Sequence, residues 1–220
     1  MFRIGVVLLI GAFSFPANAA EVGNLDDLLV QLEEFGKEHN RMNVPREHGR
    51  FLQLMTELTH AQRVLEIGTS NGYSSIWIAK GLRATGGKLT TIEFDQERGN
   101  EAKENFKKAG LEDVVTLHID DAFKVIPQLE EKYDLIFLDA WKPDYKKFFD
   151  IAFPKLNPGG VFLAHNAITS ADKMRDFLDT VENHEELITS IVQMGGDGFS
   201  VSFRKRKPNT EEETEKQPGQ

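Results

Sequence analysis

Short apolar runs alternate with longer amphipathic ones along most of this chain, and that alternation leaves few folds open. Arg63–Ile67, Lys88–Phe94, Val114–Ile119, Asp134–Leu138 and Gly160–Ala164 read as strands. Helical spacing fills the gaps, at Ser74–Leu82, Gln96–Ala109, Ala122–Leu129, Tyr145–Leu156 and Ala171–Val181. Two more helices are expected before the first strand, from Asn24 to about His39 and from Glu47 to Thr59. Asn24 with Asp26 and Asp27 supplies a cap and acids for the first of these. Crossovers this long join parallel strands, and Asp134–Leu138 is apolar throughout, as a strand covered on both faces must be. Leu187–Gln193 and Phe199–Arg204 flank the tight turn Gly195–Gly196–Asp197–Gly198 and are expected to pair antiparallel. The expected fold is α/β: an open, doubly wound sheet of about seven mostly parallel strands with an antiparallel last strand, helices on both faces.

At 220 residues the chain suits one domain, at roughly 100–200 residues each. Residues 1–19 stand apart. Arg3, an apolar run of about twelve residues from Ile4 to Phe15, Pro16 and then Ala17–Asn18–Ala19 have the order of a secretory signal peptide cut after Ala19. The run is too short to span a bilayer comfortably. The expectation is an exported protein, periplasmic or secreted, with no stable membrane insertion after cleavage. The domain is then 20–205. Residues 206–220, rich in Glu with Pro and Gly and almost without apolar side chains, are expected to form a disordered tail. A net charge of −9 argues against a partner held by phosphate contacts, so no nucleic acid is expected. With no cysteine, thiolate catalysis and zinc–thiolate sites are excluded.

Ligands in open parallel sheets sit beyond the carboxyl ends of the strands. The first such end opens Glu66-Ile67-Gly68-Thr69-Ser70-Asn71-Gly72-Tyr73-Ser74. Its G-x-x-x-G spacing is not the G-x-G-x-x-G of dinucleotide sites, which counts against a dehydrogenase. Glu66 would repel phosphate and attract an ammonium. Glu93 ends the second strand 21 residues beyond Gly72, where an acid can accept both hydroxyls of a ribose. Together these describe a nucleoside with an amine and no phosphate bridge, which S-adenosyl-L-methionine fits. Asp121, with Ala122 after the third strand, either meets the adenine amine or caps the next helix. After the fourth strand, Asp139, Trp141 and Lys142 bring an acid, a flat aromatic and a possible proton acceptor within four residues.

Met42-Asn43-Val44, Leu65-Glu66-Ile67-Gly68, Gly72-Tyr73-Ser74-Ser75, Thr91-Ile92-Glu93, Ile126-Pro127-Gln128-Leu129 and Asp139-x-Trp141-Lys142 together resemble the catechol and caffeoyl-CoA O-methyltransferase group of class I S-adenosylmethionine-dependent methyltransferases. The likeness runs from about Leu25 to Lys205. It implies methyl transfer from the sulfonium to a hydroxyl of a small, aromatic, catechol- or phenol-like compound. It also implies roles: Met42 and Val44 at the methionine end of the cofactor, Glu66, Gly68 and Ser74 around its amino acid part, Glu93 on the ribose and Trp141 on adenine. Asp139 matches a magnesium ligand and Lys142 the lysine that takes the hydroxyl proton. Relatives in the caffeoyl-CoA branch are commonly dimers, so a homodimer is admitted.

The chain departs from that pattern at the end of its fifth strand, where Ala164-His165-Asn166-Ala167 stands in place of Asp-Asn. Three readings stay open. A divalent metal softer than magnesium sits on Asp139, His165 and Asn166. Or there is no metal, with His165 or Lys142 as the base. Or His165 is structural and activity is impaired. A second class of function goes with the last reading: an exported, non-catalytic ligand-binding protein that keeps the fold. Of the other histidines, His48 could approach the substrate mouth, while His39, His60, His118 and His184 are expected to be structural.

Overall fold

The computed structural model describes residues 25–206. The signal expected at 1–19 and all of the expected tail except Arg206 lie outside them. Helices α1 (Leu25–Glu38) and α2 (Arg46–Leu58) lead into β1 (Arg63–Ile67), α3 (Tyr73–Thr85), β2 (Lys88–Glu93), α4 (Gln96–Lys108), β3 (Val115–Ile119), α5 (Ala122–Gln128) and β4 (Tyr133–Leu138). There follow α6 (Tyr145–Ala152), β5 (Leu156–His165), α7 (Arg175–Asn183), β6 (Leu187–Met194) and β7 (Asp197–Arg204).

The seven strands lie in the order β3-β2-β1-β4-β5-β7-β6. All neighbours among the first five are parallel, and β7 runs antiparallel to both β5 and β6. The chain winds outward from β1 to β3, then crosses back to place β4 on the other side of β1. Where β1 and β4 end, their two connections leave in different directions, and the crevice of the sheet opens there.

Strand alternation assigns the two faces. Val64, Leu135, Phe137, Val161 and Leu163 pack in one apolar cluster with α1, α2, α3 and Phe106 of α4. Leu65, Ile67, Ile136, Leu138, Phe162 and Ala164 pack in a second, with Ile126 of α5 and residues of α6 and α7. Successive residues of β1 and β4 thus go to opposite clusters, which explains why the sequence of β4 has no polar alternation.

Three boundaries differ from expectation by four residues each. The helix expected to run to Leu156 ends at Ala152, and Phe153–Lys155 form a 3-10 turn around Pro154, which cannot continue the ladder. Strand β5 begins at Leu156 rather than Gly160, because the register shift against β4 between Tyr133 and Leu135 absorbs Pro158 and Gly159. The helix expected from Ala171 begins at Arg175, after a 3-10 turn at Ala171–Lys173.

Candidate functional site

A cavity of about 880 Å³ opens at the carboxyl ends of β1, β2, β4 and β5, roofed by the segment between α1 and α2. Its wall holds Met42, Val44, Gly68, Ser74, Glu93, Asp121, Ala122, Asp139, Trp141, Lys142, His165 and Asn166. Of the residues singled out from the sequence, Glu66 and His48 do not line it; His48, expected near the substrate mouth, is instead fully buried where α2 packs behind the end of β5.

Gly68 sets the floor. Its φ of +103° lies in the left-handed region, and a Cβ placed there would stand 2.2 Å from the carbonyl oxygen of Asp139. The end of β1 and the end of β4 therefore pass each other at a distance only glycine allows. Asp139 N–H donates to the Ile67 carbonyl at 2.9 Å and fastens the two ends together.

Glu66 lies fully buried beneath this floor. One carboxyl oxygen accepts from Ser74 Oγ at 2.6 Å, and the other from Thr91 Oγ1 at 2.7 Å and from Ser75 Oγ. Burial pushes its pKa up to about 7, against the pull of the three hydroxyls. It can meet a ligand's ammonium only through the field it sets up.

Glu93 takes a backbone N–H on each oxygen, Ser70 at 2.7 Å and Asp95 at 2.9 Å. Each carboxylate oxygen keeps accepting capacity for a ribose hydroxyl. Asp121 caps α5, its Oδ1 accepting from Phe123 N–H at 2.9 Å, and still faces the cavity. Both alternatives raised by the sequence are thus compatible at this residue. Trp141 is 69% exposed and Phe94 79%, which leaves two large aromatic faces at the mouth. Met42 roofs the cavity with φ +54°. The Arg41 guanidinium locks that roof to α4 through Glu101 at 2.5 Å and Glu97 at 2.6 Å.

At the end of β4 the Lys142 ammonium donates to Asp139 Oδ1 at 2.6 Å and to the Ala140 carbonyl at 3.1 Å. Asp139 Oδ2 faces His165 Nδ1 at 3.1 Å. Burial alone would raise the Asp139 carboxyl, but the charge and hydrogen bond of His165, and then those of Lys142, hold it well below the ordinary carboxylate range. Tyr145 is buried against the pair, and its hydroxyl donates to the carbonyls of Leu138 and His165 at 3.3 Å each. Burial and the Asp139 charge drive that phenol far above its usual pKa.

The residues present do not fit a divalent cation. Lys142 and His165 cover the two oxygens of Asp139, and His165 Nε2 is engaged at 2.8 Å by His48 Nδ1. The Asn166 amide donates to Asp197 at 2.6 Å. Among the described residues no group of three or more His, Asp or Glu side chains is placed to share an ion. A nucleoside amino acid fits better. The buried amide nitrogen of Asn71, on the cavity wall, has no hydrogen-bond partner among the described residues and offers a donor to a carboxylate. Asn71, Phe94 and Asp197 line the site without having been singled out from the sequence. Asn71 was nonetheless inside the glycine-rich turn, which was the available signal.

A doubly wound sheet in this strand order, with a carboxylate ending β2 at the mouth of the cavity, is the architecture of class I S-adenosylmethionine-dependent methyltransferases. The chain belongs to the O-methyltransferase family, whose sequence profile matches residues 19–194. It is 38% identical over 131 residues to a catechol O-methyltransferase of Niastella koreensis, covering 58% of this chain and 59% of that one. To a catechol O-methyltransferase of Mycobacterium tuberculosis it is 30% identical over 179 residues, covering 74% and 81%. Among solved structures, the O-methyltransferase TomG from Streptomyces achromogenes, in complex with SAM, superposes with a TM-score of 0.76 at 28% identity, covering 82% of this chain and 90% of that one. An O-methyltransferase from Bacillus cereus, in complex with SAH, gives 0.76 at 27%, covering 84% and 94%.

Proposed function

We propose that this enzyme transfers the methyl group of S-adenosylmethionine to a hydroxyl of a small aromatic compound of catechol or phenol type, with Lys142 as the proton acceptor. One observation carries the reading: a ribose-accepting carboxylate, Glu93, and an ion-paired lysine, Lys142, stand on the wall of a single cavity. The names of the catechol-methylating relatives support the substrate class.

The bound cofactor supplies an electrophilic methyl on a positively charged sulfur. Glu93 and Trp141 hold its nucleoside, by ribose hydroxyls and by an aromatic face. The residues opposite orient the acceptor, and most of the rate comes from holding the two reactants in line. Lys142 uses two of its three nitrogen positions to donate to Asp139 and Ala140. As a neutral amine it keeps both of those bonds and turns a lone pair to the acceptor hydroxyl. With the cofactor bound, the hydroxyl proton would pass to Nζ while the acceptor oxygen takes the methyl, whose former bonding pair would stay on sulfur. Asp139 then neutralises the ammonium formed. Asp139 is too weak a base for this step, because His165 and Lys142 hold its carboxyl well below the ordinary carboxylate range.

Calorimetric titration with S-adenosylhomocysteine, followed by a screen of catechols and phenols with and without EDTA, tests the reading. Binding, with methylation that EDTA leaves intact, is expected. No binding at millimolar ligand removes the methyltransferase assignment. Export belongs to the same proposal. Arg3, the apolar run and Ala17–Asn18–Ala19 support it, and N-terminal sequencing of the mature protein, expected to begin at Ala20, tests it.

A further inference from the structure

Glu66 is fully buried beneath the cavity floor, and no cation meets it. Its partners among the described residues are the hydroxyls of Ser74, Ser75 and Thr91, all neutral. In register, β2 sets Thr91 beside it and β4 sets Phe137. The charge that acts on it is that of Asp139, at the end of β4 and paired with Lys142, and it opposes ionisation of Glu66. A carboxylate so placed gives up its hydration and gains no countercharge, which disfavours the ionised form. Its pKa of about 7 has that burial as its main cause.

The hydroxyl cluster serves both protonation states without moving a heavy atom. A hydroxyl donates or accepts by turning about its C–O bond. Facing the carboxylate, all three donate. Facing the acid, Thr91 Oγ1 accepts the carboxyl proton and turns its own to Thr69 Oγ1, 2.5 Å away. Ser74 connects this cluster to the ligand space, because it lines the cavity and donates to Glu66 Oε1 at 2.6 Å.

We propose that Glu66 exchanges a proton for the cofactor: below neutral pH the free enzyme holds a proton on this carboxyl, and the ammonium of the bound cofactor drives it out to solvent. This deepens the O-methyltransferase reading and rests on it. One proton leaves the carboxyl by way of the Ser74 hydroxyl, and one ligand ammonium takes its place as the positive partner. A ligand without the ammonium leaves the proton where it was. Glu66 therefore selects for an amino group that it does not touch, and the selection fades as pH falls. It is a positioning residue that acts through its charge. The sign follows from linkage: below about pH 7 the proton must be removed for binding, so cofactor affinity rises with pH and levels off above that value.

Titration calorimetry of the full chain at about pH 6.5, in two buffers of different ionisation enthalpy, counts the protons exchanged. S-Adenosylhomocysteine is expected to release about half a proton or more per molecule bound. 5′-Methylthioadenosine, the same nucleoside without the amino acid, is expected to release none. Between about pH 5.5 and 7.5 the affinity of the wild type for S-adenosylhomocysteine should rise by about tenfold or more. In Glu66→Gln the release should vanish and the affinity should change by less than about twofold over the same range. No release with S-adenosylhomocysteine, equal release with both ligands, or undiminished release from Glu66→Gln overturns the proposal. If Glu66→Gln does not fold, the two ligands on the wild type decide. S-Adenosylhomocysteine that binds without exchanging protons overturns this inference alone, whereas failure to bind at any of these pH values overturns the methyltransferase reading with it.

Discussion

At the scale of single residues, three side chains make separable predictions. Burial raises the Glu66 carboxyl to a folded pKa of about 7 against an ordinary value of 4.5. The folded state therefore binds more protons than the unfolded chain between those values, and this residue's contribution to stability is full at low pH and falls as pH rises through that window. Glu66→Gln should flatten the dependence of the unfolding midpoint on pH between about 4.5 and 7, read by urea titrations at several pH values. An equally steep dependence in the variant would refute the assignment. Lys142→Ala should lower kcat/KM by about a hundredfold or more, as loss of a general base does, with S-adenosylhomocysteine affinity little changed. Unaltered turnover would remove Lys142 as the base. Trp141 is exposed while Trp77 is 4% exposed, so cofactor binding should change tryptophan emission in the parent and not in Trp141→Phe. The same scale shows what the sequence could tell. Glu93, Asp139 and Lys142 were legible because each sits at the end of a strand that apolar periodicity locates. The pairing of His48 with His165 was not, since its partners lie 117 residues apart and meet only when α2 packs beside the end of β5.

At the scale of elements, the passage of β1 beneath the end of β4 is the joint on which the cavity depends. Gly68→Ala forces a methyl to 2.2 Å from a backbone oxygen at a φ of +103°. A loss of about 2–5 kcal/mol is expected from the combined strain and overpacking, with activity falling further because Asp139 is displaced. Gly86→Ala is the matched control. Gly86 has φ +78°, and a methyl there would meet nothing within 4 Å, so only the conformational cost of about 1–2 kcal/mol should appear. Equal midpoints for the two variants in urea would show that the contact with Asp139 is slack. The strand order follows from the same local logic, and most elements were readable from alternation and caps, as with Asp121 accepting from Phe123 N–H at the start of α5. The start of β5 was not, because Pro158, Gly159 and Gly160 read as a break. The register shift against β4 that accommodates them is a property of two strands and cannot be seen in one.

At the scale of the whole molecule, the cavity gathers its walls from both halves of the winding. The roof between α1 and α2, the ends of β1 and β2 and the ends of β4 and β5 share no continuous stretch of chain, yet all of them border the same cavity. A ligand that binds only when these parts are assembled stabilises the fold as a unit. S-Adenosylhomocysteine at a hundred times its Kd should add about 2.7 kcal/mol, which for a chain of this size raises Tm by roughly 5–10 °C. The Arg41 clamp should decide how much of that gain involves the roof. Its guanidinium joins the roof to α4 through Glu97 and Glu101, and Ser70 Oγ donates to the Arg41 carbonyl at 2.8 Å, tying the roof to the turn after β1. Arg41→Ala leaves the floor of the cavity intact but frees the roof. It should weaken S-adenosylhomocysteine severalfold and shrink the Tm gain at fixed ligand concentration, while the ligand-free Tm moves less, since partly exposed ion pairs contribute about 1 kcal/mol or less. Differential scanning calorimetry with and without ligand separates the two effects. An undiminished gain in Arg41→Ala would mean that the floor alone holds the nucleoside and that Met42 and Val44 are bystanders.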